Sequence, residues 1–404
     1  MLIVVYTFNF IDRQIVGILA GPIKAELGLS DTQLGMMGGL AFALFYTALG
    51  IPIGLLADRK SRVWIMTAAL ALWSGFTALC GFAQNFWQLF LSRMGVGVGE
   101  AGGVAPAYSL IADYFPPAER ARALAVYSFG IPLGSAAGIF LGGWIASTVD
   151  WRTAFIVVGL AGLALAPIFR LVVRDPVRGR FDPPRAQASA PPFGEVMRTL
   201  AAKPSFWLLS FGAGCCSILG YGLIFWLPSF FARTYGLELI EVSQFYGSII
   251  LIGGIIGIWG GGWLGDRLGS ADRGAYARIP AIAFVIAAPC YAVGVLSNWL
   301  PLTYAMFLIP QALGLMWLGP VLSAVQHIAP ASMRTTASAS FLFINNLIGI
   351  GLGTVLFGLI SDKLAPSFGD ESLRYSILIG LSFYLLSAGL FFLASRRLDR
   401  DWEG

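Results

Sequence analysis

Arg93-Met-Gly-Val-Gly-Val-Gly-Glu100-Ala-Gly-Gly-Val-Ala-Pro-Ala-Tyr108 lies inside a long apolar segment, yet it carries two opposite charges among five glycines. Seven residues are almost two helical turns, so Arg93 and Glu100 fall on nearly one helix face, about 10 Å apart along the axis. A charge at the centre of a bilayer costs at least about 2.5–3.5 kcal/mol, so this face predicts a bundle interior or a watery cavity rather than lipid. Glycines at 95, 97, 99, 102 and 103 let neighbouring backbones close around it. Two readings compete: a buried structural ion pair, and an ionisable site on a transport pathway. The second is the working reading.

Outward from this stretch, the chain of 404 residues is 57% hydrophobic and 12% charged, with mean hydropathy +0.77. That composition predicts a polytopic membrane protein. Twelve apolar stretches are long enough to span, six within 1–172 and six within 205–395. The expected fold is all-α: twelve transmembrane helices in two pseudo-symmetric six-helix bundles. The breaks carry turn chemistry or charge, as in GLSD at 28–31, DRKSR at 58–62, AQN at 83–85 and STVDWR at 147–152. Residues 173–203, rich in Pro, Arg and Ala, read as a linker between an N-terminal bundle over 1–172 and a C-terminal bundle over 204–404.

Charge placement sets the orientation. With the N-terminus inside, only Lys24, Arg152, Arg233, Lys363 and Arg374 fall in outer loops, and the other loop and tail basic residues, Arg59, Arg62, Arg120 and Arg267 among them, fall on the cytoplasmic side. Both termini are expected in the cytoplasm and the chain in a bacterial inner (plasma) membrane. No cleavable leader is expected, because the first apolar segment starts at Met1 and carries Asp12 and Arg13. The basic residues sit in short loops, so the net charge of +5 does not call for nucleic acid. Cys80, Cys215, Cys216 and Cys290 lack metal-ligand spacing and read as buried thiols. His327 is the single histidine. No nucleophile and base pair, zinc spacing or phosphate-cradling loop is visible, so an enzyme is not expected, and neither a cofactor nor a metal.

The halves echo one another. GLLADRKSR at 54–62 matches GWLGDRLGS at 262–270, Pro106-Ala-Tyr-Ser109 matches Pro320-Val-Leu-Ser323, and the run from Arg120 matches that from Arg334. Three matches in order imply two bundles related by an axis along the membrane normal, with a substrate cavity between them near the midplane.

With these residues in view, the sequence resembles the major facilitator superfamily over essentially its whole length. Gly54 to Arg62 matches that family's cytoplasmic loop signature, Gly262 to Arg267 is its weaker copy, Arg93 with Gly97 is similar to the fourth-helix motif, and Gly130-Ile-Pro-Leu-Gly134-Ser-Ala-Ala-Gly138 to the fifth-helix pattern. Within it, the stretches 9–35, 97–102 and 111–138 resemble the Spinster branch, whose members are linked to export of sphingolipid and lysolipid molecules. The resemblance implies alternating access, a gating latch at Asp58 with Arg59 and Arg62, and a second at Asp266 with Arg267. The second loop lacks the later basic pair, which makes it the looser gate.

The core supplies the remaining expectations. By helical rise Asp12, Arg13 and Glu100 lie roughly 16–20 Å into a ~30 Å core, with Arg93 nearer the outer face. Asp12, Glu100 and Arg93 are therefore the candidate proton-coupling residues, since a carboxylate whose Arg moves away takes up a proton. Arg13 or Arg93 would meet an anionic head group. The C-terminal spans offer only neutral polar groups such as Ser217, Tyr221, Tyr246, Gln311, Asn345 and Asn346 among Phe225, Trp226, Trp317, Phe341 and Phe343. One charged wall and one aromatic wall predict an amphiphilic, lipid-like substrate touching Arg13, Arg93, Glu100, Tyr221, Trp317, Phe341 and Asn345. Each aromatic taken alone also fits plain packing or lipid contact. The expected partners are that substrate, protons and the lipid bilayer, and a monomer is expected. An exporter of drugs or organic anions on the same scaffold, or a transport-dead receptor, are the competing functions.

Overall fold

The computed structural model describes residues 1–178, 181, 193–269, 272–330 and 333–403. Within these residues every regular element is helical. In chain order they are α1 (Leu2–Ile18), α2 (Ala20–Leu27), α3 (Asp31–Gly35), a π-helical turn (Met36–Leu40), α4 (Ala41–Arg59), α5 (Arg62–Cys80), α6 (Phe86–Glu100), α7 (Val104–Tyr114), α8 (Pro117–Ser128), α9 (Gly130–Thr148) and α10 (Trp151–Val172). There follow α11 (Phe193–Ala201), α12 (Pro204–Tyr235), α13 (Leu239–Gly269), α14 (Ala275–Leu296), α15 (Leu300–Leu313), α16 (Leu318–Ile328), α17 (Arg334–Phe368), α18 (Ser372–Gly380), α19 (Ser382–Ser395) and α20 (Leu398–Asp401).

The turn chemistry of the sequence becomes helix capping. Ser30 and Gln33 form a reciprocal capping box, Ser61 accepts from the Trp64 amide, Asn85 from Gln88 and Asp150 from Thr153. Each supplies an acceptor for one of the orphan amides at a helix start. Nine helices among the described residues are long and apolar enough to cross a membrane, ten if the bent pair α1 and α2 forms one span. The run Thr336–Ser395 enters that count once but holds 60 residues, enough for two crossings. With α6 and α7 as one interrupted span, the helices match the twelve apolar stretches of the sequence.

Three departures from uninterrupted spans have local causes. α1 ends at Ile18 and α2 leaves it at 51°, because Pro22 offers no amide to the Ile18 carbonyl. The π-helical turn falls on Met36–Leu40, where Gly38 approaches the Phe225 ring too closely for any side chain. The span built from α6 and α7 breaks at Ala101–Gly103, and the span built from α15 and α16 breaks at residues 314–317, each just ahead of its repeat proline, Pro106 or Pro320. The proposed linker region also contains α11, which its composition did not announce; residues 179–180 and 182–192 of it lie outside the described residues.

The chain folds into two compact units. The first comprises 1–186 together with 224–248 and 354–362. In it α9 packs on α1, α10 on α5, and α6 on both α4 and α5. Backbones meet closely where α6 lies: a Cβ on Gly97 would stand 2.6 Å from the Phe42 carbonyl, and one on Gly99 2.5 Å from the Trp73 amide. The second unit comprises 187–223, 249–353 and 363–404. There α14 packs against α15 and α19, with Phe284 stacked on Tyr384 at 4.5 Å. Its basic end is tied by Asp401, which accepts from the Ser205 amide at 2.9 Å and hydroxyl at 2.6 Å.

Candidate functional site

The glycine-rich face of α6 brings Arg93 and Glu100 into the interior of the first unit. Asp12, Arg93 and Glu100 are 1%, 1% and 0% exposed. The partners differ from the simplest reading, in which Arg93 answers Glu100. Arg13 from α1 donates through Nε to Glu100 Oε2 at 2.7 Å. Its guanidinium also lies over the rings of Phe10, Phe42 and Tyr46, 5.1, 4.7 and 4.7 Å from their centroids. A planar, weakly hydrated cation suits such an aromatic cage. Arg93 instead reaches the Asp12 carbonyl through Nη1 at 3.4 Å, and its Nε has no hydrogen-bond partner among the described residues. Asp12 lies within electrostatic reach of both Arg93 and Glu100. The four charges thus form one buried cluster on two helices, with Arg13 in the place that sequence spacing gave to Arg93. Spacing along α6 reports which residues share a face; it carries no signal for which helix presses on that face.

The neutral wall residues have packing partners within the second unit. Ser217 donates to Asn345 Oδ1 at 2.8 Å, and Asn345 is buried. Trp317 and Phe341 meet edge to face at 6.4 Å, both buried. Tyr221 is half-buried on α12. Phe225 and Trp226 belong to the first unit, where the Trp226 indole donates to the Thr354 carbonyl at 2.8 Å and Phe225 packs beside Gly38. For these two the packing alternative describes the structure.

At the end expected to be cytoplasmic, Arg62 is a clamp within the first unit. It pairs with Asp113, donates through Nη2 to Asp175 at 2.8 Å and through Nη1 to the Ser109 hydroxyl at 2.9 Å, and its amide donates to Asp175 at 2.8 Å. It joins the start of α5 to the end of α7 and to the segment after α10. Burial works against the Asp175 carboxylate, yet the Ser61 hydroxyl and the Arg62 guanidinium outweigh it and hold its pKa below the ordinary value. Arg59 is exposed, and Arg267 lies over the Trp263 ring at 5.3 Å. The side chains of Asp58 and Asp266 lie outside the described residues.

The opposite end holds a cluster that sequence reasoning missed. Asp31 accepts from Arg233 Nη1 and Nη2 at 2.8 and 2.7 Å, from Lys24 Nζ at 2.6 Å and from the Ser361 hydroxyl at 2.8 Å. Asp362 in turn accepts the amides of Asp31 and Thr32, at 3.0 and 2.8 Å, at the first turn of α3. Residues from three distant chain segments therefore converge on one carboxylate. The GLSD stretch at 28–31 was visible as a break between spans, but nothing local names Arg233 or Asp362. Among the described residues no group of three or more His, Cys, Asp and Glu could hold a metal ion.

The family model described as Major Facilitator Superfamily matches residues 2–354 of this helical membrane protein. The chain belongs to that superfamily. Within it the chain groups with the Spinster branch. An "MFS-type efflux pump" of Mycolicibacterium smegmatis is 34% identical over 402 residues, covering 99% of this chain and 92% of that protein. Human "Protein spinster homolog 1" is 29% identical over 400 residues, covering 92% of this chain and 75% of that protein. A crystal structure of a bacterial homolog to the human lysosomal transporter Spinster, inward-facing and unoccupied, superposes with a TM-score of 0.90 at 31% identity, covering 100% of this chain and 97% of that one. The chain is a multi-pass membrane transporter, related to transport proteins rather than to enzymes.

Proposed function

We propose that this transporter couples proton movement to the passage of an amphiphilic, lipid-like substrate by alternating access. The observation that carries the coupling is the Arg13–Glu100 pair at 2.7 Å, with Glu100 fully buried and its Oε1 without a hydrogen-bond partner among the described residues. A carboxylate held by one guanidinium exchanges that partner for a proton when the guanidinium is drawn away. An anionic head group competes for Arg13, or for Arg93, and so links substrate occupancy to protonation of Glu100 and Asp12. The contrast between the units supports the amphiphile. All intramembrane charge of this kind sits in the first, whereas Tyr221, Asn345, Trp317 and Phe341 of the second are neutral. The names of the relatives, an efflux pump and Spinster homologs, fit this reading. The basic end, with Arg62 and the gating candidates Asp58, Arg59, Asp266 and Arg267, then faces the cytoplasm of a bacterial inner membrane, and the protein acts as a monomer.

Purified protein in liposomes tests the reading: a single-chain anionic lysolipid should move faster under a pH gradient than without one. Equal rates in both conditions would remove the coupling. A second reading, efflux of drugs or organic anions, draws on the Mycolicibacterium relative; transport of tailless organic anions in the same liposomes, with lysolipids excluded, would favour it.

A further inference from the structure

The first unit ties its basic end together with one side chain. Arg62, at the start of α5, holds Ser109 and Asp113 near the end of α7 and Asp175 in the segment after α10. The internal repeat gives each of these three elements a counterpart in the second unit: the start of α14, the end of α16 and the segment after α19. An offset of 214 residues carries Pro106 to Pro320 and Arg120 to Arg334, and with them Ser109 to Ser323 and Asp113 to His327. The position that matches Arg62 in the second loop signature is Ser270, which has no guanidinium to offer and lies outside the described residues. The ionic clamp is therefore not repeated from that position.

Trp402, from the segment after α19, joins the three counterparts instead. Its indole stacks on the His327 imidazole, with centroids 4.6 Å apart and planes 13° apart, and on the Tyr276 ring of α14 at 5.7 Å and 21°. The Arg273 guanidinium, just ahead of α14, lies 5.4 Å from the same ring. The imidazole is held in turn, since its Nδ1 donates to the Ser323 carbonyl at 2.9 Å. Polar contacts fix the segment around the ring. The Glu403 amide donates to the His327 carbonyl at 2.9 Å, and Lys203, just ahead of α12, donates to the carbonyls of Ile328 and Asp401 at 2.9 and 3.0 Å and pairs with Glu403. Stacked rings attract beyond the area they bury, and a guanidinium over an indole adds a cation–π contact, so this junction needs no buried ion pair.

We propose that residues 401–403 form a detachable strap across the basic end of the second unit, with Trp402 doing by stacking for α14, α16 and the segment after α19 what Arg62 does by charge in the first unit. The strap is independent of the substrate and proton readings above. It gives the end expected to be the looser gate a closure supplied from another part of the chain. Its anchor lies beyond α20 rather than inside a long helix, Trp402 is half-buried, and Arg273 and Glu403 are exposed. A short segment held at so exposed an edge lifts by local opening, without unfolding the unit. While it is lifted, the start of α14 and the end of α16 lose the ring that joins them.

Hydrogen exchange read by mass spectrometry on the purified full chain tests the strap through the amides of 278–284 and 324–329. Trp402→Ala should speed exchange in both segments by about tenfold or more and leave 65–70, at the start of α5, at the wild-type rate. Trp402→Phe keeps a ring to stack and should recover most of the difference. His327→Ala should give the same local change, and combining it with Trp402→Ala should add little to either variant alone, because both remove one contact. Lys203→Met leaves every ring in place but frees the segment that carries Trp402, so it should speed the same amides and carries the comparison if the ring variants fold poorly. Wild-type exchange at both segments in the folded variants would overturn the strap. So would an additive double variant, or exchange raised evenly throughout the second unit.

Discussion

Replacing Asp31 by alanine removes at one stroke the acceptor of Arg233, Lys24 and the Ser361 hydroxyl. The side chain of Asp31 is 4% exposed, that of Arg233 20% and that of Lys24 36%. Breaking a fully buried pair costs about 3–5 kcal/mol, but both cations here can recover part of their hydration, which brings the expected loss to about 2–3 kcal/mol. Because Arg233 and Ser361 come from α12 and α17, the loss falls on the packing of those two helices against α3 within the first unit. A loss of that size raises the fraction of molecules in which this cluster is locally opened by about 30–150-fold. Spin labels at the exposed positions Val149 and Glu238, both in the first unit, read the change as a distance distribution. The variant should gain a long-distance population that the wild type lacks, and Asp31→Glu should gain less of it. An unchanged distribution with unchanged melting temperature would refute the stabilising role given to the Asp31 cluster.

Glu100→Gln and Asp12→Asn should each abolish the response of lysolipid transport to a pH gradient in liposomes while leaving the protein folded. Arg13→Ala should unfold more easily than Glu100→Gln at neutral pH, by a margin that shrinks as the pH falls, because Glu100 loses its guanidinium and must take up a proton to stay buried. Binding of a homologous lysolipid series, measured by calorimetry, should tighten by up to ~0.8 kcal/mol per added methylene until the site is full, and insensitivity to tail length would count against the amphiphile. Asp175→Asn should lower the melting temperature at pH 7. A depressed carboxyl contributes stability above its unfolded pKa and loses it as the pH falls through its lower folded value, so the difference from wild type should vanish below the ordinary aspartate range.

The spans, the breaks between them and the charged face of α6 were legible because each depends on neighbours within a few residues. Apolar run length gives the span, the turn-forming stretches at 28–31, 58–62, 83–85 and 147–152 give the breaks, and a seven-residue spacing gives the shared face of Arg93 and Glu100. Partners were not legible. Arg13 and Glu100 stand 87 residues apart, and Asp31 and Arg233 stand 202 apart; a single sequence offers no spacing rule over such distances. Arg62 shows the same limit from the other side. Its place in the loop signature suggested a gate but not its partners, Ser109, Asp113 and Asp175, which lie 47 to 113 residues further along the chain. The break after Glu100 could have been anticipated from Gly102 and Gly103, since consecutive glycines weaken a helix.

The carboxylate of Asp31 also imposes an order on biosynthesis. It is translated within the first few dozen residues, but Arg233 follows 202 residues later and Ser361 330 later. While the first six spans insert, this end of the unit has only Lys24 for Asp31. Its last contacts must wait until α17 has left the ribosome, and closing so long a loop is slow. The nascent first unit therefore matures in two stages. Helix pairs close in sequence order, such as α5 with α6, assemble early, and the Asp31 cluster closes only when most of the chain is already in the membrane.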